Sequence, residues 1–157
     1  SLYMQIVRAE MTKNPRAVET GDAGNPAPPR NRWRNALATA MVKSMENHRL
    51  VLPEHMNQYG FLFGGYLLAW VDELAWMAAT RDFPGCQLVT VAMNRVVFRR
   101  SVRQGVILRF EAVRLRTGNT SATYGISVFR DAEEIFSNEV TLVRVDHEGN
   151  KQSLPTV

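Results

Sequence analysis

The stretch from Asn57 to Ala79 constrains this chain most, because a polar, glycine-bearing loop there runs directly into a long apolar segment. The segment from Gly65 to Arg81 is rich in Leu, Ala, Met and Trp, and its apolar residues cover most of a helix circumference. A helix that is apolar nearly all round is buried by its neighbours. The sequence therefore predicts one long central helix that the rest of the chain must cover.

Two adjacent acids, Asp72 and Glu73, interrupt this apolar segment. A carboxylate in a buried helix is costly unless a partner compensates it or the protein uses it. Asp72 follows Gly65 by seven residues, and seven steps of about 100° place it on the same face, roughly 10 Å further along the axis. The spacing thus puts a carboxylate and a helix start on one side of the helix.

This arrangement suits chemistry on a carbonyl group. The first N–H groups of a helix have no intrahelical partner, so Gly64 and Gly65 are candidates for stabilising an oxyanion. Asp72 is a candidate general base or nucleophile. The alternative is that Asp72 is a structural acid held by an arginine or a backbone donor. Glu73 lies about 100° away on the helix, and we interpret it as a structural acid or as one that supports the site indirectly. Asn57 is expected to form a turn or to orient a water, with the turn favoured.

The rest of the chain reads mainly as strands. Four β-rich runs follow the helix, at residues 87–100, 106–116, 120–130 and 135–145. A short strand is predicted at His48–Leu52, and an amphipathic helix at Arg30–Asn47 after a Pro-rich linker. Because helices and strands do not alternate, the sequence favours an α+β fold with an antiparallel sheet on one helix. We divide it into an extension, residues 1–47, and one domain, residues 48–157.

Composition, charge and the absence of common motifs exclude several classes of function. The net charge is +4, and the single cysteine, Cys86, excludes an internal disulfide and is typical of a reducing, cytoplasmic compartment. The longest uncharged apolar run ends at Val71 and is too short to span a bilayer. The three histidines are far apart in the sequence, so no metal site is predicted. The chain has no G-x-S-x-G elbow, Walker A loop or G-x-G-x-x-G motif.

A cluster of arginines between residues 95 and 116 has two interpretations. It would suit a ligand that carries several phosphates, together with the turn at residues 118–121, or it consists of solvated charges on strand faces. Its members are Arg95, Arg99, Arg100, Arg103, Arg109, Arg114 and Arg116.

The loop and helix start resemble a known family. The pattern is N-x-x-G-x-x-F-G-G at residues 57–65, with Asp72 seven residues later. It resembles the signature of the hot-dog-fold acyl-CoA thioesterases, the bacterial acyl-CoA hydrolases in particular, and the likeness covers about Leu50 to Pro155. It continues through Val89-Thr90-Val91, Phe98-x-Arg100, Gly105, Gly118-x-Thr120-Ser121, Val145-Asp146 and Leu154-Pro155. The chain departs from the usual pattern at His55, Ser101 and Val106.

The resemblance implies a long helix wrapped by an antiparallel sheet of about five strands. It implies that two such units pair into a continuous sheet, as a dimer or within a tetramer or hexamer, with active sites at the subunit interface. The implied reaction is hydrolysis of an acyl-CoA to free CoA and a fatty acid. It needs no cofactor beyond the CoA of the substrate. We expect no nucleic-acid partner and no membrane span.

The resemblance also assigns roles to residues. Asp72 would be the general base or nucleophile, the backbone at Gly64 and Gly65 would polarise the thioester carbonyl, and Asn57 would position water or substrate. The implied substrate-binding residues, some of them for the CoA phosphates, are Thr90, Arg100, Asn119, Thr120 and Ser121. A non-catalytic acyl-CoA sensor is the alternative, motivated by the basic residues at 30–34. A dehydratase is disfavoured because no histidine lies in the helix.

Overall fold

The part of the chain that the structure describes forms one five-stranded antiparallel sheet packed on one long helix. A computed structural model describes residues 44–156, which lie within one compact unit. The strands are β1 (Ser44–Leu50), β2 (Leu88–Phe98), β3 (Ile107–Thr117), β4 (Ser121–Arg130) and β5 (Glu133–Arg144). Their order in the sheet is β1-β3-β4-β5-β2, with every pairing antiparallel. This confirms the predicted fold class.

Helix α1 spans Gly64–Asp82, one residue longer at each end than the sequence predicts. It starts after Phe63, whose backbone is extended, and it stops at Phe83, whose N–H donates to Ala79 O over 2.8 Å. The next residues are Pro84, which disfavours a helical residue before it, and Gly85, at φ +76°. The Phe83-Pro84-Gly85 stop expected from the sequence is confirmed.

The helix covers the middle of the sheet. Tyr124 of β4 reaches Asp82 at the helix end with its hydroxyl group, and the Trp70 ring packs edge-on against Phe110 of β3, with centroids 6.2 Å apart. Because side chains alternate along a strand, the β4 residues of the same parity as Tyr124 also face the helix. They are buried: Ala122, Ile126 and Val128. The core therefore lies between α1 and the three inner strands of the sheet, β3, β4 and β5.

The first strand differs from the sequence-based prediction. We expected a helix through Asn47 and a strand at His48–Leu52, but residues 44–47 already belong to β1, where Ser44 pairs with Val113 and Leu50 with Ile107. Exposure in β1 alternates with a period of two, as in a strand. The helix prediction is wrong over these four residues because long-range pairing with β3 overrides local periodicity. The rest of that prediction, and the basic residues at 30–34, lie outside the described residues.

The β2 strand forms one edge of the sheet and is irregular. Its register with β5 shifts twice, between Thr90 and Ala92 and between Asn94 and Val97, and Arg95 has φ +52°. Such bulges are common on edge strands. The strand nevertheless exposes large apolar side chains, namely Val89, Val91, Val97 and Phe98. Among residues 44–156, no helix is long and apolar enough to cross a membrane.

Candidate active site

The loop before the helix is closed by Asn57. Its side-chain oxygen accepts hydrogen bonds from Tyr59 N over 2.9 Å and Phe61 N over 3.1 Å, and its backbone O accepts one from Gly60 N. Gly60 has φ +75°, a conformation that side chains rarely adopt. The turn-forming interpretation of Asn57 is therefore confirmed. Its contact with water or substrate stays a prediction.

His55 is part of the same loop. Its Nδ1 accepts a hydrogen bond from Leu52 N over 3.0 Å, and its backbone O accepts one from Phe63 N. Its ring lies 4.9 Å from the Tyr66 ring and 4.8 Å from the Trp70 ring, centroid to centroid. His55 thus ties the loop to the first two turns of α1.

The helix start lacks a side-chain cap. Phe63 occupies the capping position but offers no side-chain oxygen, and the first turn has no acidic residue. The backbone at this end is crowded by aromatic rings. A Cβ on Gly64 would lie 3.4 Å from the Phe98 ring, and one on Gly65 only 2.6 Å from the Phe63 ring. Glycine at both positions therefore lets the rings, or a ligand, approach the backbone closely.

Asp72 lies two turns further along α1 and is half-buried. Thr90 on β2 donates its hydroxyl hydrogen bond to Asp72 Oδ1 over 2.6 Å. Within residues 44–156, no ion pair involves Asp72. The alternative of an aspartate held by an arginine is therefore not what the described residues show. The structure brings together two of the predicted residues, Asp72 and Thr90.

The neighbouring acid has a different environment. Glu73 is exposed and forms an ion pair with Arg49 of β1. It connects the outer side of α1 to the edge of the sheet. The structural interpretation of Glu73 is confirmed.

The residues predicted for the CoA phosphates do not meet within one chain. Arg100 donates from Nε to Glu133 Oε1 over 2.9 Å, at the end of the sheet near the helix start. The turn Asn119–Ser121 lies at the other end, where Thr120 O accepts a hydrogen bond from Arg144 N. Strand β4 separates the two, and its ten residues extend over about 30 Å.

At the Arg100 end of the sheet, two arginines share one acidic partner, Glu133. Hydrogen bonds from Arg130 and then Arg100 hold the pKa of Glu133 below its usual range. Both guanidinium groups are thus partly neutralised by one carboxylate. Arg103 lies nearby over the Phe61 ring, 4.7 Å from its centroid, without an ion pair among residues 44–156.

One residue near Asp72 was not singled out from the sequence. Trp76 lies one turn after Asp72, is 47% exposed, and donates from Nε1 to Leu88 O over 3.2 Å. Its spacing of four from Asp72 was the available signal, since such residues lie on one helix face. In a segment rich in aromatic and aliphatic residues, that signal is hard to separate from core packing.

Comparisons with known proteins agree with this geometry. A family model described as the thioesterase superfamily matches residues 59–136. A hexameric acyl-CoA thioesterase solved in its apo form is 30% identical, with a TM-score of 0.64, over 71% of this chain and 75% of that one. The chain belongs to the hot-dog-fold acyl-CoA thioesterases.

Two further relatives are informative. An acyl-CoA hydrolase from Staphylococcus aureus, solved with butyryl-CoA and CoA, is 27% identical over 71% of this chain and 69% of that one, with a TM-score of 0.63. It has also been solved as variants with an asparagine, an aspartate or a threonine replaced by alanine. Acyl-coenzyme A thioesterase 11 of Mus musculus is 38% identical over 80 residues, which is 51% of this chain but 13% of that protein. The chain therefore spans only a small part of that relative.

Proposed function

We propose that the protein hydrolyses acyl-CoA thioesters to free CoA and a carboxylic acid, with Asp72 as general base or nucleophile. The observation that carries the proposal is the environment of the Asp72 carboxylate. It lies half-buried in an apolar helix, and its partner is the neutral hydroxyl of Thr90. A purely structural carboxylate in such a place would be expected to pair with a cation or with several donors. Asp72 keeps acceptor positions for a water or a substrate.

Thioester hydrolysis can proceed with Asp72 in either role. As general base, Asp72 takes a proton from water while the water oxygen adds to the thioester carbonyl carbon. As nucleophile, it forms a mixed anhydride that water then hydrolyses. In both cases the carbonyl oxygen becomes an oxyanion, which backbone N–H groups at a helix start stabilise. The C–S bond breaks, CoA leaves as a thiolate that takes up a proton, and a carboxylate remains.

The geometry of one chain leaves this site incomplete. Asp72 and Gly65 share a helix face but lie about 10 Å apart along the axis. Groups that act on one carbonyl must lie within hydrogen-bond reach, about 3 Å. We therefore propose that Asp72 of one protomer works with the helix start of a second copy. The irregular, apolar edge strand β2, which carries Thr90, is the surface where a second copy would pair.

The same arrangement accounts for the separated phosphate candidates. Arg100 and the turn Asn119–Ser121 lie at opposite ends of one sheet, so a two-fold pairing would bring the Arg100 end of one protomer towards the turn of the other. A similar thioesterase is hexameric, and an assembly of three such dimers is our proposal for this chain.

The variants of the S. aureus enzyme support the choice of residues. The residue types replaced there are Asn, Asp and Thr, the types of Asn57, Asp72 and Thr90. In both chains the asparagine precedes the aspartate by fifteen positions. In this chain Thr90 follows Asp72 by eighteen positions, one more than the corresponding separation there.

The test is thiol release from a panel of acyl-CoAs of different chain length, measured for the wild type and for Asp72→Asn. We expect the variant to lose about two to four orders of magnitude in kcat, the range for removing a general base, at an unchanged melting temperature. Glu73→Gln is the matched control, because it neutralises the adjacent acid.

Two results would overturn the proposal in different ways. If the wild type releases no CoA from any member of the panel, the activity is wrong. If Asp72→Asn turns over at the wild-type rate, Asp72 is not in the mechanism although the protein hydrolyses thioesters.

A further inference from the structure

The short turn after β1 is closed twice by the same two residues, Leu52 and His55. His55 N donates to Leu52 O over 3.0 Å, and Leu52 N donates back to His55 Nδ1, also over 3.0 Å. The residue before the turn is held by the sheet, because Val51 N donates to Val106 O over 2.9 Å. The two bonds between Leu52 and His55 therefore fix the imidazole relative to the sheet.

His55 is also attached to the helix start. Its backbone O accepts a hydrogen bond over 2.9 Å from the N–H of Phe63, the residue directly before α1. Its ring packs against the rings of Tyr66 and Trp70, with centroids 4.9 Å and 4.8 Å away. One half-buried side chain thus connects the end of β1 to the N–H groups that are proposed to stabilise the oxyanion.

The imidazole can close this turn in only one protonation state. A nitrogen that accepts a hydrogen bond carries no proton, so the proton of the neutral ring lies on Nε2. Protonation of the ring adds a proton at Nδ1, which then faces the Leu52 N–H as a second donor. The hydrogen bond is lost, and two N–H groups oppose each other.

The surroundings of the ring provide no buried anion among the described residues. On α1, the two turns from Gly64 to Trp70 contain one titratable side chain, Tyr66, and no charged one. In the loop at residues 56–63 the titratable side chain is Tyr59, and in the turn itself it is Glu54, which is exposed to water. The helix start adds partial positive charge, which disfavours a nearby cation.

We propose that His55 is a positioning residue for the helix start, and that it acts only while Nδ1 is unprotonated. This inference rests on the proposed thioesterase function. His55 takes no part in the chemical step, but it holds the backbone to which the thioester carbonyl binds. Imidazoles ordinarily titrate at about pH 6.5, so turnover should fall as the pH drops through that range. Aspartates ordinarily titrate near pH 4, so protonation of the catalytic acid would give a separate, lower step.

The test measures kcat between pH 5.5 and 8 for the acyl-CoA that the wild type hydrolyses fastest, with dithiodipyridine to detect the thiol at acidic pH. The wild type keeps about a tenth of its pH 7.5 kcat at pH 5.5, because one unit below its pKa about a tenth of an imidazole is unprotonated. His55→Asn offers a side-chain oxygen in place of Nδ1 and does not titrate. It stays within about threefold of the wild type at pH 7.5 and keeps most of that rate at pH 5.5. His55→Ala offers no acceptor and lowers kcat at least about tenfold at pH 7.5, with a smaller change in KM.

The other two histidines of the chain, His48 and His147, are exposed and provide matched controls. His48→Asn and His147→Asn should lose turnover at pH 5.5 as the wild type does. A wild-type kcat that changes less than twofold between pH 7.5 and 5.5 overturns the role of His55 and leaves the thioesterase function intact. The same holds if His55→Asn loses as much as the wild type at pH 5.5, or as much as His55→Ala at pH 7.5.

Failure of the wild type to hydrolyse any acyl-CoA overturns the function on which this inference rests. If His55→Ala does not fold, as judged by circular dichroism, the comparison between the wild type and His55→Asn still decides the question.

Discussion

Two aspartates on one helix, Asp72 and Asp82, are held in opposite ways. Asp82 at the end of α1 has a side chain only 7% exposed. It accepts a hydrogen bond from the Tyr124 hydroxyl over 3.0 Å and lies 3.6 Å from Arg114 and 3.8 Å from Arg81. A carboxylate at a helix C-terminus opposes the macrodipole, and these partners offset that cost. Asp72, by contrast, has one neutral hydroxyl partner and remains partly open.

The contrast shows that burial, hydrogen-bond partners and ion-pair partners together distinguish a structural carboxylate from one that is available for chemistry. Asp82 accepts a hydrogen bond from an aromatic hydroxyl and lies beside two cations, so it fixes the helix end on β4. Asp72 is oriented by Thr90 without being neutralised. A single well-placed donor is what a working carboxylate needs, because it sets the direction of the group and leaves the second oxygen for chemistry.

The strongest test of this difference is to neutralise Asp72 and Asp82 in separate variants. Asp72→Asn should lose activity without losing stability. Asp82→Asn should lose about 1–3 kcal/mol of unfolding free energy, because the partly buried Arg114 loses its ion-pair partner. Urea denaturation and thiol release, measured on both variants, check this.

Each variant serves as the control for the other. Asp82→Asn, assayed at a temperature where it is folded, should keep a wild-type kcat. Equal losses of stability in both variants, or an inactive but folded Asp82→Asn, would contradict the division of roles.

The hydroxyl partners offer a finer comparison, because each can be removed with little change of shape. Thr90→Val deletes the donor to Asp72, and Tyr124→Phe deletes the donor to Asp82. We expect Thr90→Val to lower kcat about tenfold with a stability change under about 1 kcal/mol, and Tyr124→Phe to cost about 1–3 kcal/mol with an unchanged kcat. Full activity in Thr90→Val would contradict the role of Thr90 in orienting Asp72.

The sequence predicted the helix and the position of Asp72 on it, but not the role of Asp82. Gly64-Gly65 and the apolar run predict the helix, the glycine turns predict the strands, and the seven-residue spacing places Asp72 on the Gly65 face. The partners were not predictable, because Thr90 and Tyr124 reach the helix through sheet register, which depends on long-range pairing and bulges. For the same reason β1 was partly assigned to a helix, and Trp76 was not distinguished from core.

A dependence on pH follows from the Asp82 cluster. Burial, and then the Asp82 carboxylate, raise the pKa of Tyr124 well above its usual range. A group whose pKa is raised on folding contributes stability below its unfolded pKa, about 10 for tyrosine, and this contribution is lost as pH rises from there towards the folded pKa. The stability difference between wild type and Tyr124→Phe should therefore shrink above pH 10 and stay constant between pH 7 and 9. Urea midpoints across that range measure it, and a difference that grows with pH would contradict the assignment.

The smallest effect is expected at the third acid of the helix, Glu73, which sits beside Asp72 but pairs with Arg49 at the surface. Exposed ion pairs contribute about 0–1 kcal/mol, because water screens the charges and two long side chains must be ordered. Glu73→Gln should therefore shift the urea midpoint only slightly and leave kcat unchanged, and 0.5 M salt should remove even that shift, since screening weakens the wild-type pair. Adjacent in sequence, Asp72 and Glu73 would then differ in effect on turnover by two or more orders of magnitude. A loss of activity in Glu73→Gln comparable to that of Asp72→Asn would mean that the charge of the helix, rather than the position of one carboxylate, drives the reaction.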